Sequence, residues 1–358
     1  MEAEHSARRY RVLDKLGEGS FGQVFRALDG CSGRAVALKK VRLRDVRALP
    51  LAALRELLAL QAVEHPNVMQ LIGSYTHGAN IVFVLPFMHA SLHALLDRRA
   101  LPVPDVAAQD VAAQMLCGLA ACHAAGLIHR DIKPANLLFG PDGCLQIGDF
   151  GQARLSPSHM LDEHAGDAAA AAAADAGGEL TAHVGTRWYR APELLLGSRN
   201  YGEGVDMWAA GCVIAQLFSV SPMLTGSSDI DQIFRVVLLL GSPTEARWPG
   251  VSAMPDFDKL DIPAREPVPL GAALPHAPDD AIECLERLIC YDPMARASAL
   301  QALQSKWLLS REPIPGQVLL SLLDADAPQT HAAAIVAYNM RAEAQLHADS
   351  MRPSCEHT

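Results

Sequence analysis

Gly17, Gly19 and Gly22 form a Gly-x-Gly-x-x-Gly segment between two β-prone runs, and this placement limits the fold more than any other feature of the chain. Such a trio makes a phosphate-cradling turn in unrelated architectures. In the dinucleotide-binding one, a helix opens straight after the glycines. Here Tyr10, Val12 and Leu13 start a strand before them, and Val24 to Leu28 is β-prone after them. A strand–turn–strand flap is therefore expected, and the dinucleotide-binding fold is excluded.

The pattern continues in kind. Val36 to Val41 reads as a further strand, set off by Gly30 and Gly33. Leu51 to Val63 carries apolar residues at helical spacing and stops at His65-Pro66-Asn67. Val68 to Tyr75 and Asn80 to Phe87 read as two more strands. From Ser91 the character turns helical: Asp105 to Ala125, Val205 to Phe218, Ile230 to Leu240, Pro278 to Ile289 and Ala297 to Lys306. The expected class is α+β. A small antiparallel β lobe with one helix spans about 10–88, and a larger α-helical lobe about 89–307, with a hinge near Pro86 to His89. A low-complexity insert at about 167–178 contains the run Ala168 to Ala174. It reads as a surface loop, because so short an isolated helix is marginal in water. Residues 308–358 read as a C-terminal tail.

Bulk properties narrow the setting. A net charge of −10 argues against nucleic acid or an anionic membrane as the main partner, since both select basic patches. No apolar run reaches membrane-spanning length, and the first residues lack signal-peptide character. The 8 cysteines include no Cys-x-x-Cys pair, which fits isolated thiols in a reduced compartment.

Beyond the glycines come, in order, Val36-Ala37-Leu38-Lys39, His129-Arg130-Asp131-Ile132-Lys133-Pro134-Ala135-Asn136, Asp149-Phe150-Gly151 and Ala191-Pro192-Glu193. The set resembles the eukaryotic Ser/Thr protein kinases, over about Tyr10 to Trp307, and implies their bilobal fold. Phosphoryl transfer needs a held triphosphate, neutralised charge and a hydroxyl aimed in line. By the resemblance, the nucleotide site comprises Leu16, Gly17, Glu18, Gly19, Ser20, Phe21, Gly22 and Val24 from the flap. Ala37 and Lys39 from the next strand, Glu56 from the helix, and Pro86 and Met88 from the linker complete it. Lys39 reaches the phosphates and Glu56 positions it. Pro86 lacks an N–H but keeps a carbonyl for adenine. Asp131 takes or orients the substrate hydroxyl proton, and Lys133 stabilises the transferred group. Asn136 and Asp149 hold Mg²⁺, a hard ion that prefers oxygen. Glu193 pairs with Arg296, and Asp206 braces the catalytic loop. The cofactors implied are ATP and Mg²⁺.

Val184 to Gly197 and Gly204 to Cys212 are similar to the cyclin-dependent and MAP kinase group. Ser221-Pro222-Met223-Leu224-Thr225-Gly226, Asp229-Ile230-Asp231-Gln232 and Leu240-Gly241-Ser242-Pro243-Thr244 resemble the cell cycle-related kinases. That subfamily implies a role in cilium or flagellum length, acting on other kinases, with a cytoplasmic, ciliary or nuclear location. The group also implies Ser/Thr-Pro substrates, with the Val184 carbonyl turned away by Arg190, and an upstream kinase that phosphorylates Thr181. Arg55, Arg130 and Arg154 would grip that phosphate. A cyclin-like or other activator would sit on the helix of Glu56, although Leu51 and Ala52 replace the polar pair usual there. Phe21 stands where many relatives carry an inhibitory Tyr, while Ser20 remains phosphorylatable. Gln152 follows Asp-Phe-Gly where Leu is usual. Gln152 and the long insert lend support to an alternative, a catalytically impaired kinase-fold scaffold, against which the complete set Lys39, Glu56, Asp131, Asn136 and Asp149 stands.

Overall fold

Three β-prone runs near the start fold into consecutive hairpins: β1 (Tyr10–Gly19), β2 (Gly22–Asp29) and β3 (Ala35–Arg42). The computed structural model describes residues 9–19, 22–43, 51–156, 185–219 and 221–323. Gly19 pairs with Gly22 across the first turn. Gly22 has φ of 148°, and a Cβ there would fall 1.9 Å from the Lys40 carbonyl oxygen, so only glycine lets the flap press on β3. Ser20 and Phe21, at the tip, lie outside the described residues.

With β4 (Gly73–His77) and β5 (Asn80–Pro86), these strands form an antiparallel sheet in the order β1-β2-β3-β5-β4. The expected strand over Val68 to Tyr75 is shorter at its start. Val68 instead bridges in parallel to Ile147, and the Met69 N–H donates to the Ile147 carbonyl at 2.9 Å. The run is apolar because both residues are buried against the other lobe. The helix α1 (Leu51–Ala62) also serves both lobes. Ala53 and Leu57 pack with β3 and β5 residues, whereas Ala59 and Leu60 join the large core.

The second lobe is helical apart from short strands: β6 (Ala90–Ser91), β7 (Leu127–Ile128), β8 (Leu137–Phe139), β9 (Leu145–Ile147) and β10 (Arg154–Leu155). Its helices are α2 (Leu92–Leu96), α3 (Asp105–Ala124), α4 (Pro192–Leu195), α5 (Gly204–Leu217), α6 (Asp229–Leu240), α7 (Leu270–Ala273), α8 (Asp279–Glu286), α9 (Ala299–Leu303), α10 (Lys306–Leu309) and α11 (Gly316–Leu323). No helix among the described residues is long and apolar enough to cross a membrane. The expected helix Ala297 to Lys306 divides into α9 and α10 because Ser305 caps a fresh turn, its side chain accepting from the Leu308 N–H. Residues beyond 307 join the core as well: Ile314, Leu319, Leu322 and Leu323 are buried in it, and Arg99 Nη1 donates to the Leu322 carbonyl at 2.7 Å. Helix α5 is buried on all sides from Val205 to Leu217, as expected for a helix apolar all round. This central position lets Asp206 reach the loop between β7 and β8.

Candidate active site

The site rests on a charge inside the large lobe. Asp206 is fully buried, and its carboxylate accepts the His129 N–H at 2.8 Å and the Arg130 N–H at 2.7 Å, while His123 Nε2 lies 3.0 Å away. Burial pushes this carboxyl up, but His123, His129 and the Arg130 N–H outweigh it and hold it below the ordinary aspartate value. The bonds fix Arg130 at φ of 69°, a left-handed backbone that a non-glycine residue adopts only when its surroundings demand it.

Asp131 follows, with both oxygens occupied. Oδ1 accepts the Thr186 N–H at 2.8 Å and the Thr186 hydroxyl at 3.0 Å. Oδ2 accepts Lys133 Nζ at 2.6 Å and the Asn136 amide at 3.1 Å. Lys133 Nζ also donates to the Thr186 hydroxyl oxygen at 2.8 Å. Asn136 Nδ2 donates again to the Asp131 carbonyl at 2.8 Å, so its amide oxygen is the atom left to meet a cation. The Asn136 carbonyl accepts the Gly148 N–H at 2.8 Å, which ties this loop to Asp149.

Asp149 is likewise left-handed, at φ of 61°. Phe150 beside it is fully buried and packs edge-on to His129 at 4.8 Å, and His129 Nε2 meets the Gly148 carbonyl at 3.0 Å. Asp149 therefore faces β3, where Lys39 Nζ lies 3.0 Å from its Oδ1 and 2.7 and 2.8 Å from the two Glu56 oxygens. Burial works to lower the Lys39 ammonium, but Glu56 and Asp149 outweigh it and hold it above the ordinary lysine value. Burial also works against the Asp149 carboxylate, yet Lys39, His129 and Lys133 keep it low. Glu56 is pushed up by burial against the pull of Lys39. Lys39 is thus charged and Asp149 ionised at neutral pH. An ionised Asp149 and the Asn136 amide oxygen are the hard donors that Mg²⁺ selects.

A cavity of about 590 Å³ opens between the lobes beside these groups. Of the nucleotide residues expected from sequence, Leu16, Gly22, Val24, Ala37, Lys39, Glu56, Pro86 and Met88 line it, as does Asp149. Gly17, Glu18 and Gly19 continue β1 toward the turn at Gly22, and Glu18 is ion-paired with Lys15 at 2.6 Å. Leu60, Met69, Leu85 and Leu138 also line it and were not anticipated. An apolar residue on a strand or helix looks the same in sequence whether it faces a core or a cleft. Leu85, next to Pro86 in the linker, was the one with a positional signal.

Around the site, Glu193 accepts from both Arg296 terminal nitrogens at 2.7 and 2.8 Å, with both side chains buried. Arg130 donates through Nε to the Gln152 carbonyl and through Nη1 to the Tyr201 hydroxyl, each at 2.7 Å. Burial lowers the Arg130 guanidinium, and the nearby Arg55 charge adds to this. Two of the three arginines expected to grip a phosphate therefore lie near one another. Arg154 is buried in β10. Thr181 and the insert lie outside the described residues. Gln152 is half-buried, and Lys39, Glu56 and Asp149 are assembled with it in place.

Arg190 bears on acceptor choice. Its Nη1 pairs with Asp229 at 2.7 Å, and its Nη2 donates to the Gly185 carbonyl at 3.0 Å. The expected bond from Arg190 to the Val184 carbonyl lies outside the described residues. Gly185 has φ of 74°, and that left-handed turn aims its carbonyl at Arg190, which no sequence pattern announces.

Residues 10–308 match the model of the protein kinase domain. The chain is 39% identical over 311 residues to cyclin-dependent kinase 20 of Rattus norvegicus, covering 86% of this chain and 84% of that one. It is 38% identical to cyclin-dependent kinase D-1 of Oryza sativa subsp. japonica, covering 85% and 68%, and 37% identical to cyclin-dependent kinase 7 of Xenopus laevis, covering 89% and 87%. A chain in the structure of the CAK complex from Chaetomium thermophilum bound to ATP-gamma-S superposes with a TM-score of 0.77 at 31% identity, covering 88% of this chain and 96% of that one.

Proposed function

The chain belongs to the protein kinase family as a cyclin-dependent-kinase-like serine/threonine kinase, and from that premise we propose that it is proline-directed and switched on by phosphorylation of its activation segment. The family's reaction uses ATP and Mg²⁺. What carries the reading is that Lys39, Glu56 and Asp149 meet within hydrogen-bonding distance on one side of the cavity, with Asp131, Lys133 and Asn136 joined through the next loop. In this reading Lys39 holds the triphosphate. Asp131 receives the substrate hydroxyl proton while Lys133 neutralises the group in transit. Asn136 and Asp149 would hold Mg²⁺, which offsets phosphate charge.

Proline preference follows from hydrogen bonding. Arg190 occupies the Gly185 carbonyl. A substrate residue following the phospho-acceptor then leaves its own N–H without that partner, at a cost of about 1–3 kcal/mol. Proline has no N–H to leave unpaired. A peptide array phosphorylated with ATP tests this. Enrichment of proline after the acceptor is expected, and an array indifferent to that position overturns the assignment.

The switch rests on Thr181. A phosphate there would bring about −1.5 to −2 charge to Arg55, Arg130 and Arg154, tying α1, the catalytic loop and the activation segment together. An upstream kinase would add it, and a cyclin-like or other activator would act on α1. Thr181→Ala enzyme isolated from its native cells should be much less active than wild type phosphorylated at Thr181. Equal activity contradicts the switch. The same reading extends to control of cilium or flagellum length through other kinases, supported by the runs Ser221 to Gly226 and Leu240 to Thr244. Ciliary length in cells lacking the protein is the test, and unchanged length removes this part.

A further inference from the structure

We propose that residues 311–323 are a clasp that positions Asn136 and Asp149 by gripping the closed end of the hairpin that carries them; this deepens the kinase reading and rests on it. The two groups stand at the hairpin's open end. Asn136 directly precedes β8, Gly148 and Asp149 directly follow β9, and Leu137 pairs with Ile147 between them. Each arm is three residues, about 10 Å long, so the closed end is a short lever on the pair. That end, residues 140–144, is stiffened from within. The Gly143 N–H donates to the Gly140 carbonyl at 3.0 Å, and the Cys144 N–H to Asp142 Oδ1 at 3.1 Å.

The chain after α10 grips this hairpin twice. Gly316, the first residue of α11, lies against the turn. A Cβ there would fall 1.7 Å from the Asp142 carbonyl oxygen, and one on Gly143, at φ of 78°, would fall 2.3 Å from the Gly316 Cα. Backbone meets backbone, so neither side yields as the end of a flexible side chain would. Buried Leu319, Leu322 and Leu323 seat the helix, and Arg99 Nη1 donates to the Leu322 carbonyl at 2.7 Å. The second grip runs through α3. Arg311 Nη1 pairs with Asp110 Oδ1, Asp110 Oδ2 accepts Gln114 Nε2 at 2.9 Å, and Gln114 Oε1 accepts the Leu145 N–H at 2.7 Å. Asp110 is buried, so bulk water does not make good a lost partner. Leu145 opens β9, three residues before Gly148. Gly143, Arg311 and Gly316 do not line the cavity between the lobes, so they act on the pair through the hairpin.

The test compares full-length wild type with Gly316→Ala, which forces α11 off the turn, and Arg311→Met, which keeps the apolar stem and removes the charge. Mg²⁺ affinity is read by calorimetry on protein loaded with an ATP analogue whose β–γ bridge is an imido group. Each variant is expected to bind Mg²⁺ about tenfold more weakly, the lower end of what loss of an outer partner costs a metal site. Affinity for the analogue without metal, and KM for an acceptor peptide at saturating Mg²⁺, should stay at the wild-type values. Hydrogen exchange at the Leu145 and Gly148 amides should quicken, with the α5 amides still protected as the sign of a folded lobe. Should Gly316→Ala fail to fold, Arg311→Met, which introduces no overlap, decides. Wild-type Mg²⁺ affinity in either folded variant overturns the proposal. Weakened Mg²⁺ with unchanged exchange at Leu145 and Gly148 overturns it too, as does a tenfold rise in acceptor KM, the mark of general damage. Wild type that transfers phosphate beside unaltered variants removes the clasp alone. Wild type that neither transfers phosphate nor binds Mg²⁺ with the nucleotide removes the kinase reading and the clasp together.

Discussion

At the transfer end of the cleft, Asp131 depends on groups that belong to the core. Asp206 holds the backbone before it, and the same lobe is locked by the buried Glu193–Arg296 pair. At the nucleotide end, Lys39 comes from β3, Glu56 from α1 and Asp149 from the loop after β9. These meet only when three separately placed elements line up. The first arrangement is fixed once the large lobe folds. The second is conditional on where α1 sits, so a shift of that helix would part Glu56 from Lys39 without touching the catalytic aspartate.

If the large lobe is the fixed platform, its buried pair should weigh most. Arg296→Met leaves the Glu193 carboxylate buried without its partner, and a loss of about 3–5 kcal/mol is expected in denaturant unfolding. A loss near that of a surface pair, below about 1 kcal/mol, would erase the contrast between the two ends.

The nucleotide end should answer more in rate than in stability. Lys39→Arg keeps a charge but replaces a compact ammonium with a planar fork, and is expected to cost about 100-fold in kcat/KM by misplacing the phosphates. Thermal unfolding should stay near wild type. Glu56→Gln keeps the shape but removes one charge from the pair. It should cost about tenfold in kcat/KM, the worth of one charge-assisted hydrogen bond. Should Glu56→Gln unfold the protein as readily as Arg296→Met, the two ends would not differ in kind.

The smallest effect is a difference of sign with pH. Asp206 is held below its ordinary value, so its stabilisation is present above that value and is lost as pH falls through the lower folded one. Lys39 is raised, so its stabilisation is present below the ordinary lysine value and is lost as pH rises through the higher folded one. Unfolding followed across acid pH should show a steeper loss for wild type than for Asp206→Asn. Equal slopes would detach Asp206 from the acid limb.

Sequence made the charged half of this contrast legible and left much of the apolar half hidden. Lys39, Asp131, Asn136 and Asp149 sit in motifs whose residue types the chemistry dictates, and the fold brings them together. Val68 and Met69 read as a strand of the small sheet, yet they bridge to Ile147, because burial alone does not say which lobe does the burying. Helix α11 carries no motif and was passed over, although Val318, Leu319, Leu322 and Leu323 have helical spacing.

The central claim is that this cleft moves a phosphoryl group from ATP to a serine or threonine hydroxyl with Asp131 as the proton acceptor. The most direct measurement is transfer from γ-labelled ATP and Mg²⁺ to a protein substrate, with purified wild type and Asp131→Asn side by side and the label identified after acid hydrolysis. Wild type should yield labelled phosphoserine or phosphothreonine. The variant should fold normally and transfer at least about 1,000-fold more slowly, the scale on which loss of a general base is felt. Transfer by Asp131→Asn at the wild-type rate, or no label on serine or threonine from a folded wild-type enzyme phosphorylated at Thr181, would contradict the account.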